Sequence, residues 1–284
     1  MKVKVFYTEE QTAKSNQSFS PSAGKPALAV SQWVEKFGDK IEVVKPEKLT
    51  VMDLALAHEK VFVEEVLRLI KPNGFGNTSK DVASTLPWTS GSFYSAAKSA
   101  LENGVAVSPT SGFHHACYDH GGAFCTFNGL MVTAMKLREE GLVDRGVAIL
   151  DMDEHYGNGT DDIIRRLGIN WVNHFTSGGQ HNICSSGKAE RFLENFPKIL
   201  DELCKECDIL LYQAGADCNV SDPLGGWLND EQMRRRDRIV FEYCSRNNIP
   251  VVWNLAGGYQ EKFQNVLDLH NTTMEECLRV YGEK

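Results

Sequence analysis

Apolar residues along this 284-residue chain gather in short, near-continuous runs separated by longer amphipathic stretches. Seven runs read as strands: 3–7, 41–44, 104–108, 146–151, 169–174, 208–214 and 250–255. Helical spacing predicts helices over 27–37, 51–69, 92–103, 130–140, 161–167, 190–204 and 231–247, with a further one near 272–281. Strands without polar alternation are buried on both faces. Their regular alternation with helices predicts an α/β fold, a mostly parallel sheet with helices on both faces. No Pro/Gly/Ser-rich linker, long charge run or repeat interrupts the pattern. One domain over residues 1–284 is therefore expected.

Residues able to do chemistry fall just past four of these strands. Run 104–108 leads into Ser111-Gly112-Phe113-His114-His115, and run 146–151 into Asp153 and His155. Run 208–214 leads into Gly215-Ala216-Asp217, and run 250–255 into Ala256-Gly257-Gly258-Tyr259. Open α/β sheets bind ligands at the carboxyl ends of their strands, so these loops are expected to share one crevice. An isolated Asp-x-His is most simply a solvated acidic loop, and a lone Asp217 a turn or cap residue. Their common placement favours ligation instead. Asp153 and His155, two apart on a strand end, point the same way. With Asp217 they give a divalent ion three protein ligands and leave a position open, the pattern of a catalytic zinc site.

Adjacent core histidines are unusual, because each needs its own polar partner. His114 and His115 suit acid–base work, and Asp151 and Asn158 are natural groups to fix their tautomers. Tyr259 follows a Gly-Gly hinge and can place a phenol where an oxyanion forms. Gly-Gly-Tyr read alone would be an ordinary turn.

Composition narrows the partners. A hydrophobic content of 42% is ample for a sizeable core. With 38 acidic against 30 basic residues the net charge is −8, which argues against nucleic acid as a direct partner. The cluster Arg234-Arg235-Arg236 reads as a solvated helix face. Eight cysteines, with no apolar leader at the first residues, suggest reduced thiols and a cytoplasmic setting. Cys204 and Cys207 form a C-x-x-C that lacks the second element a zinc or redox site needs. No segment approaches the roughly 18 apolar residues of a membrane span, so no membrane partner is expected.

The motifs taken together resemble those of zinc-dependent histone deacetylase family amidohydrolases, of the bacterial and class II-like kind. They are Gly112-Phe113-His114-His115-Ala116, Gly122-Ala123-Phe124-Cys125-Thr126-Phe127-Asn128, and Asp151-Met152-Asp153-Glu154-His155-Tyr156-Gly157-Asn158-Gly159-Thr160. To these are added Gly215-Ala216-Asp217 with Asp222-Pro223-Leu224-Gly225, and Gly257-Gly258-Tyr259. The stretch 50–54 with His58 resembles the family's early helix, so the likeness runs from about residue 50 to residue 259. It implies the arginase–deacetylase fold and one catalytic zinc on Asp153, His155 and Asp217. It implies His115 as general base and then acid, His114 as its electrostatic partner oriented by Asp151, and Tyr259 as oxyanion donor. Phe124 matches the wall of the acyl-lysine tunnel, with Gly122, Gly257 and Gly258 beside the substrate. Asp151, with carbonyls around Asp153 and His155, resembles an inner potassium site. The implied partner is an acylated lysine peptide or protein, or a small acylated amine; the oligomeric state stays open.

The chain departs from the family pattern in places. Asn158 stands where some members carry Asp. The loop 176–181 offers only His181 in place of a second tunnel aromatic. Residues 19–26 lack the usual His-Pro-Glu-type segment, and Asp81 is the nearest candidate for the rim carboxylate. Leu224 occupies the position where polyamine-specialised members can carry an acidic gatekeeper. Other classes fit less well. A dinucleotide oxidoreductase needs G-x-G-x-x-G after the first strand, where Thr8-Glu9-Glu10 stands. A two-metal ureohydrolase needs further carboxylates. A non-catalytic acyl-lysine binder would have lost ligands or Tyr259, and all are present.

Overall fold

The computed structural model describes residues 2–179 and 188–282. One parallel sheet runs in the order β2-β1-β3-β7-β6-β4-β5. Its strands are β1 (Val3–Phe6), β2 (Ile41–Val44), β3 (Val105–Ser108), β4 (Val147–Asp151), β5 (Val172–Thr176), β6 (Ile209–Gly215) and β7 (Val251–Ala256). Every run expected from the sequence forms a strand. The largest shift is in β5, which starts at Val172 because the Ile169 N–H is spent closing the preceding helix on the Ile164 carbonyl, 3.0 Å away.

The four central strands β3, β7, β6 and β4 are buried at every position. Their side chains alternate between two cores, as the pleat demands. Val107, Leu150, Tyr212 and Trp253 point to the layer of α1 (Lys25–Phe37), α7 (Ala189–Leu203), α8 (Asp230–Asn247) and α9 (Phe263–Tyr281). Ala106, Ile149, Leu211 and Val252 point to the other, with α3 (Lys60–Leu67), α4 (Lys80–Asn103) and α5 (Gly129–Glu139). This is the expected α/β architecture, with helices on both faces.

Three helices differ from expectation. The predicted helix 51–69 is two, α2 (Val51–Leu54) and α3, because the intervening segment is pinned elsewhere. Glu59 N–H donates to the Tyr118 carbonyl (2.8 Å), and His58 Nδ1 to the Cys117 carbonyl (2.9 Å). Helix α4 begins at Lys80, twelve residues before the expected 92. Ser79 caps it and Pro87 lies inside it, where proline and the run of Ser and Thr read as a break. Helix α9 begins at Phe263, nine residues before the expected 272, and part of its buried face is polar: Asn271 donates to Gln32 (2.8 Å) and Thr273 to Asp237 (2.6 Å).

Of the arginine cluster, Arg234 and Arg235 are part-exposed as a helix face should be, but Arg236 is not. Arg236 is fully buried, with Nε on Asp237 (2.8 Å) and Nη1 on the Gly215 carbonyl (2.6 Å). Asp237 also accepts from the Tyr212 hydroxyl. A buried guanidinium is tolerable only when it is paired and bonded in this way. Its job here is to fix the end of β6.

Candidate metal centre and active site

Strands β3, β7, β6 and β4 are neighbours, so the loops leaving their carboxyl ends meet in one crevice. Asp151 closes β4 and is fully buried. Its Oδ1 accepts from Gln213 Nε2 (2.7 Å) and the Asp153 N–H (3.2 Å), and its Oδ2 from His114 Nδ1 (2.7 Å). Asp153 and Asp217 lie two residues past β4 and β6, and both are buried. Between them stands His155, its Nδ1 at 3.1 Å from Asp153 Oδ1 and 3.2 Å from Asp217 Oδ2. These ligand atoms all fall within 4.8 Å of one another, and no other group of three metal-ligating side chains occurs among the described residues. Cys204 and Cys207 are buried free thiols at the end of α7, outside any such cluster.

The histidine pair divides its partners as the sequence suggested. His115 Nδ1 lies 2.6 Å from Asn158 Oδ1, an acceptor, so Nδ1 carries the hydrogen and Nε2 is left as a base. The two rings sit 3.9 Å apart, and His114 Nε2 reaches 3.5 Å from Asp153 Oδ1. The loop bearing them rests on His58 and on Asn128, whose side chain donates to the Ala116 carbonyl (3.3 Å) and to Thr160 (3.0 Å).

Tyr259 is set by its neighbours' backbone. Gly257 and Gly258 have φ of 53° and 94°, and a Cβ on Gly257 would lie 2.2 Å from Asp217 Cγ. Only glycine lets the chain pass so close to a ligand carboxylate in the left-handed region. The Tyr259 N–H then donates to Asp222 Oδ2 (2.7 Å). On the opposite wall, Ala123 and Phe124 both have positive φ, 44° and 69°, inside a turn closed by Gly122 and Cys125. Positive φ at both central residues is the type I′ pattern, uncommon for a bulky aromatic, and such strain concentrates at ligand sites. It holds the Phe124 ring 5.8 Å from Tyr259, 5.6 Å from Phe75 and 5.3 Å from Phe19. A small pocket lies among His114, His115, Phe124, Asp153, His155 and Tyr259.

Electrostatics separate the groups. Burial pulls His114 down, but Asp151 and Asp153 overcome it and raise its pKa to about 9. Burial and the charge on His114 lower His115, which favours its neutral form. Burial and Asp153 raise Asp217 to about 8, whereas His114 and His155 overcome burial to hold Asp153 low. Burial pushes the Tyr259 phenol up, so it stays a donor. Two carboxylates that cannot both be charged unaided, bracketing one imidazole, fit a divalent cation.

A histone deacetylase domain matches residues 22–176, more than half of the chain. The chain belongs to the histone deacetylase family. Among curated relatives, an uncharacterized protein of Picosynechococcus is 28% identical over 199 residues, 65% of this chain and 66% of the relative. Histone deacetylase 2 of Arabidopsis thaliana is 29% identical over 61% of this chain and 49% of its own. Acetylpolyamine amidohydrolase 1 of Pseudomonas aeruginosa is 28% identical over 51% and 48%. The chain thus spans about half to two thirds of these relatives. The crystal structure of the HDA15 HD domain superposes with a TM-score of 0.76 at 18% identity, covering 99% of this chain and 92% of that one. That likeness supports the arginase–deacetylase fold.

Within this histone deacetylase fold, the structure brings together Asp151, Asp153, His155, Asn158, Asp217, His114, His115, Tyr259, Phe124, Gly257 and Gly258. Leu224 is 44% exposed beside them, its N–H on Asp222 Oδ1 at 3.0 Å. Gly122 closes the Phe124 turn with its backbone. His181 lies outside the described residues. Asp81 stands exposed in the first turn of α4, one residue before Val82, which walls a neighbouring cavity. Two groups escaped sequence reasoning. Lys25 is fully buried, and its ammonium donates to the Gly257 carbonyl, the hinge of Tyr259; burial lowers its pKa to about 8. Nothing in its surroundings, Gly24 and Pro26, marks it as buried. Phe19 and Phe75 complete the aromatic wall, and Phe19 sits in the segment set aside for lacking the family pattern.

Proposed function

We propose that this histone deacetylase family member is a zinc-dependent amidohydrolase that removes acetyl or other acyl groups from the lysine side-chain amine of proteins or peptides. The observation that carries it is the Asp153–His155–Asp217 cluster facing the same small pocket as His115 Nε2 and Tyr259. Asp153, His155 and Asp217 would hold the ion. When bound, zinc polarises the amide carbonyl and acidifies water. His115 Nε2, its tautomer fixed by Asn158, takes the proton of the attacking water and returns it to the leaving amine. His114, anchored by Asp151, packs against that ring, and its charge keeps His115 neutral and ready to accept the proton. The Tyr259 hydroxyl donates to the oxyanion developing on the carbonyl. Phe124, with Phe19 and Phe75, supplies apolar walls for the lysine stem.

The test is turnover of acyl-lysine peptides and acetylpolyamines by metal-stripped and zinc-reconstituted protein. Acyl-lysine hydrolysis restored by zinc is expected, and full activity after verified metal removal would refute the reading. A second reading, an acetylpolyamine amidohydrolase, draws on the Pseudomonas relative; Leu224 argues against it, offering apolar contact where a polyamine's distal ammonium needs a carboxylate. The potassium ion that the family resemblance implies beside Asp151 is checked by the potassium dependence of kcat. The seven described cysteines, all unpaired, support a reducing, cytoplasmic setting.

A further inference from the structure

Behind Asp151, on the side away from the pocket, lies a second imidazole that the reaction above does not use. His174, in the interior of β5, has its side chain only 3% exposed. Its Nδ1 donates to Asp161 Oδ1 at 2.8 Å, and Asp161 Oδ2 accepts from the Tyr156 hydroxyl. Its Nε2 is buried and faces Asp151 Oδ2 at 3.8 Å, and the carboxylates on its two sides, Asp151 and Asp161, overcome burial and favour a hydrogen on each ring nitrogen. That oxygen is the one that accepts from His114 Nδ1. Gly157 closes the compartment: a Cβ there would lie 2.5 Å from Asp151 Oδ2 and 3.2 Å from His174 Nε2. The ring and the carboxylate are thus packed against one stretch of backbone, with no side chain between them.

A packing role alone does not explain the residue. An interior strand position is filled at least cost by an aliphatic side chain, while an imidazole between two carboxylates carries a desolvation cost that packing alone does not return. Asp161, in the first turn of α6 (Asn158–Leu167), would be favoured there by the helix dipole alone. That accounts for the acid but not for its bond to a buried imidazole.

We propose that His174 is a positioning residue for the deacylase chemistry: anchored by Asp161 and Tyr156, it backs the Asp151 carboxylate so that Oδ2 stays in line with His114 Nδ1. The chain of contacts Tyr156–Asp161–His174–Asp151–His114 connects a half-exposed phenol to the buried member of the histidine pair. Groups that orient the partner of a reacting imidazole affect turnover more than substrate binding.

This inference rests on the amidohydrolase reading, so the experiment has an arm that does not. Zinc-loaded wild type, His174→Leu, His174→Gln and Asp161→Asn are compared by kcat and KM on an acetyl-lysine peptide and by zinc content. In parallel, the far-downfield ring N–H resonance of His114 is followed in histidine-labelled protein, assigned by its loss in His114→Ala. His174→Leu is expected to lower kcat by about tenfold to a hundredfold, with KM and zinc content unchanged and the His114 resonance shifted or broadened. His174→Gln keeps an amide N–H toward Asp151 and is expected to recover most of both. Wild-type kcat and an unmoved resonance in His174→Leu would overturn the proposal, and so would equal loss in His174→Gln, which means packing alone. If His174→Leu does not fold, His174→Gln and Asp161→Asn decide by the same resonance. Absence of activity in the wild type sinks the deacylase reading, while the resonance still decides whether His174 acts on His114 through Asp151.

Discussion

His58 ties the early helices to the loop that carries His114 and His115, and its burial makes it a pH-dependent element of stability. Its Nδ1 donates to the Cys117 carbonyl at 2.9 Å, and its Nε2 accepts from the Asn128 N–H at 2.8 Å. That arrangement satisfies the neutral ring completely. A proton on Nε2 would face the Asn128 N–H donor-to-donor, in a fully buried site. Burial accordingly lowers the pKa from its ordinary 6.5 to about 4. The folded chain therefore binds the proton less tightly than the unfolded chain. The His58 contribution is intact above pH 6.5, is lost as pH falls from 6.5 toward 4, and is flat below. The full gap is worth about 3 kcal/mol, of which about 2 kcal/mol is gone at pH 5. The assay is equilibrium denaturation of wild type and His58→Gln at pH 7.5 and pH 5. Glutamine does not titrate; losing the bond to Cys117 is expected to cost about 1–2 kcal/mol at pH 7.5. At pH 5 that deficit should close or reverse, because only the wild type has lost its His58 contribution. A deficit of equal size at both pH values would refute the reasoning.

Replacing Asp153, His155 or Asp217 with Ala should abolish both zinc retention, read by elemental analysis, and turnover, since two ligands cannot hold or orient the ion. Tyr259→Phe should lower kcat by about two to three powers of ten with zinc unchanged, and His115→Ala should be worse than His114→Ala in the same assay. Leu224→Glu should raise kcat/KM for acetylspermidine relative to an acetyl-lysine peptide; a wild type that already prefers the polyamine tenfold would contradict the gate. Arg236→Met should destabilise the fold by about 3–5 kcal/mol in a denaturant titration, because it leaves Asp237 buried without its cation.

The sheet was legible because its central strands are buried on both faces, so apolar runs mark them without ambiguity. That Asp153, His155 and Asp217 come together was legible for a related reason: Asp153 and Asp217 each stand two residues past such a run, and strand ends converge by topology. Helix starts were not legible where buried faces are polar. Pro87 lies inside α4, where Ser84, Thr85 and Thr89 bond back to carbonyls three residues earlier, and the buried face of α9 carries Asn271 and Thr273, bonded to Gln32 and Asp237. Arg236 misled for the same reason, its partners being Gly215, 21 residues earlier, and Asp237 beside it. His58, Lys25 and His174 depend on contacts 59, 232 and 23 residues away in the chain, with Cys117, Gly257 and Asp151 respectively. No local pattern carries such information; the family resemblance marked His58 only as part of an early helix.

The distribution of charge around the strand ends bears on how many ions the site takes and of what valence. Asp151 is already committed, accepting from Gln213, the Asp153 N–H and His114. Asp222 is committed to two backbone N–H groups, those of Leu224 and Tyr259. The Lys25 ammonium is spent on the Gly257 carbonyl. Asp153 and Asp217, both buried, flank the single imidazole of His155, and each also accepts one backbone N–H, from His155 (3.0 Å) and Glu154 (3.2 Å) respectively. Two carboxylates and a neutral histidine carry a charge of −2, which one divalent ion cancels and one monovalent ion does not. In the metal-free chain the carboxylates recruit a proton instead, raising His155 to about 11, and a ligating imidazole must give that proton up. Zinc uptake should therefore release protons and weaken as pH falls, which calorimetry in buffers of different ionisation enthalpy can measure. A second tightly held divalent ion would need a ligand set of its own, and no other group of three metal-ligating side chains occurs among the described residues. A stoichiometry of one per chain is the expected result, and two would overturn the charge argument.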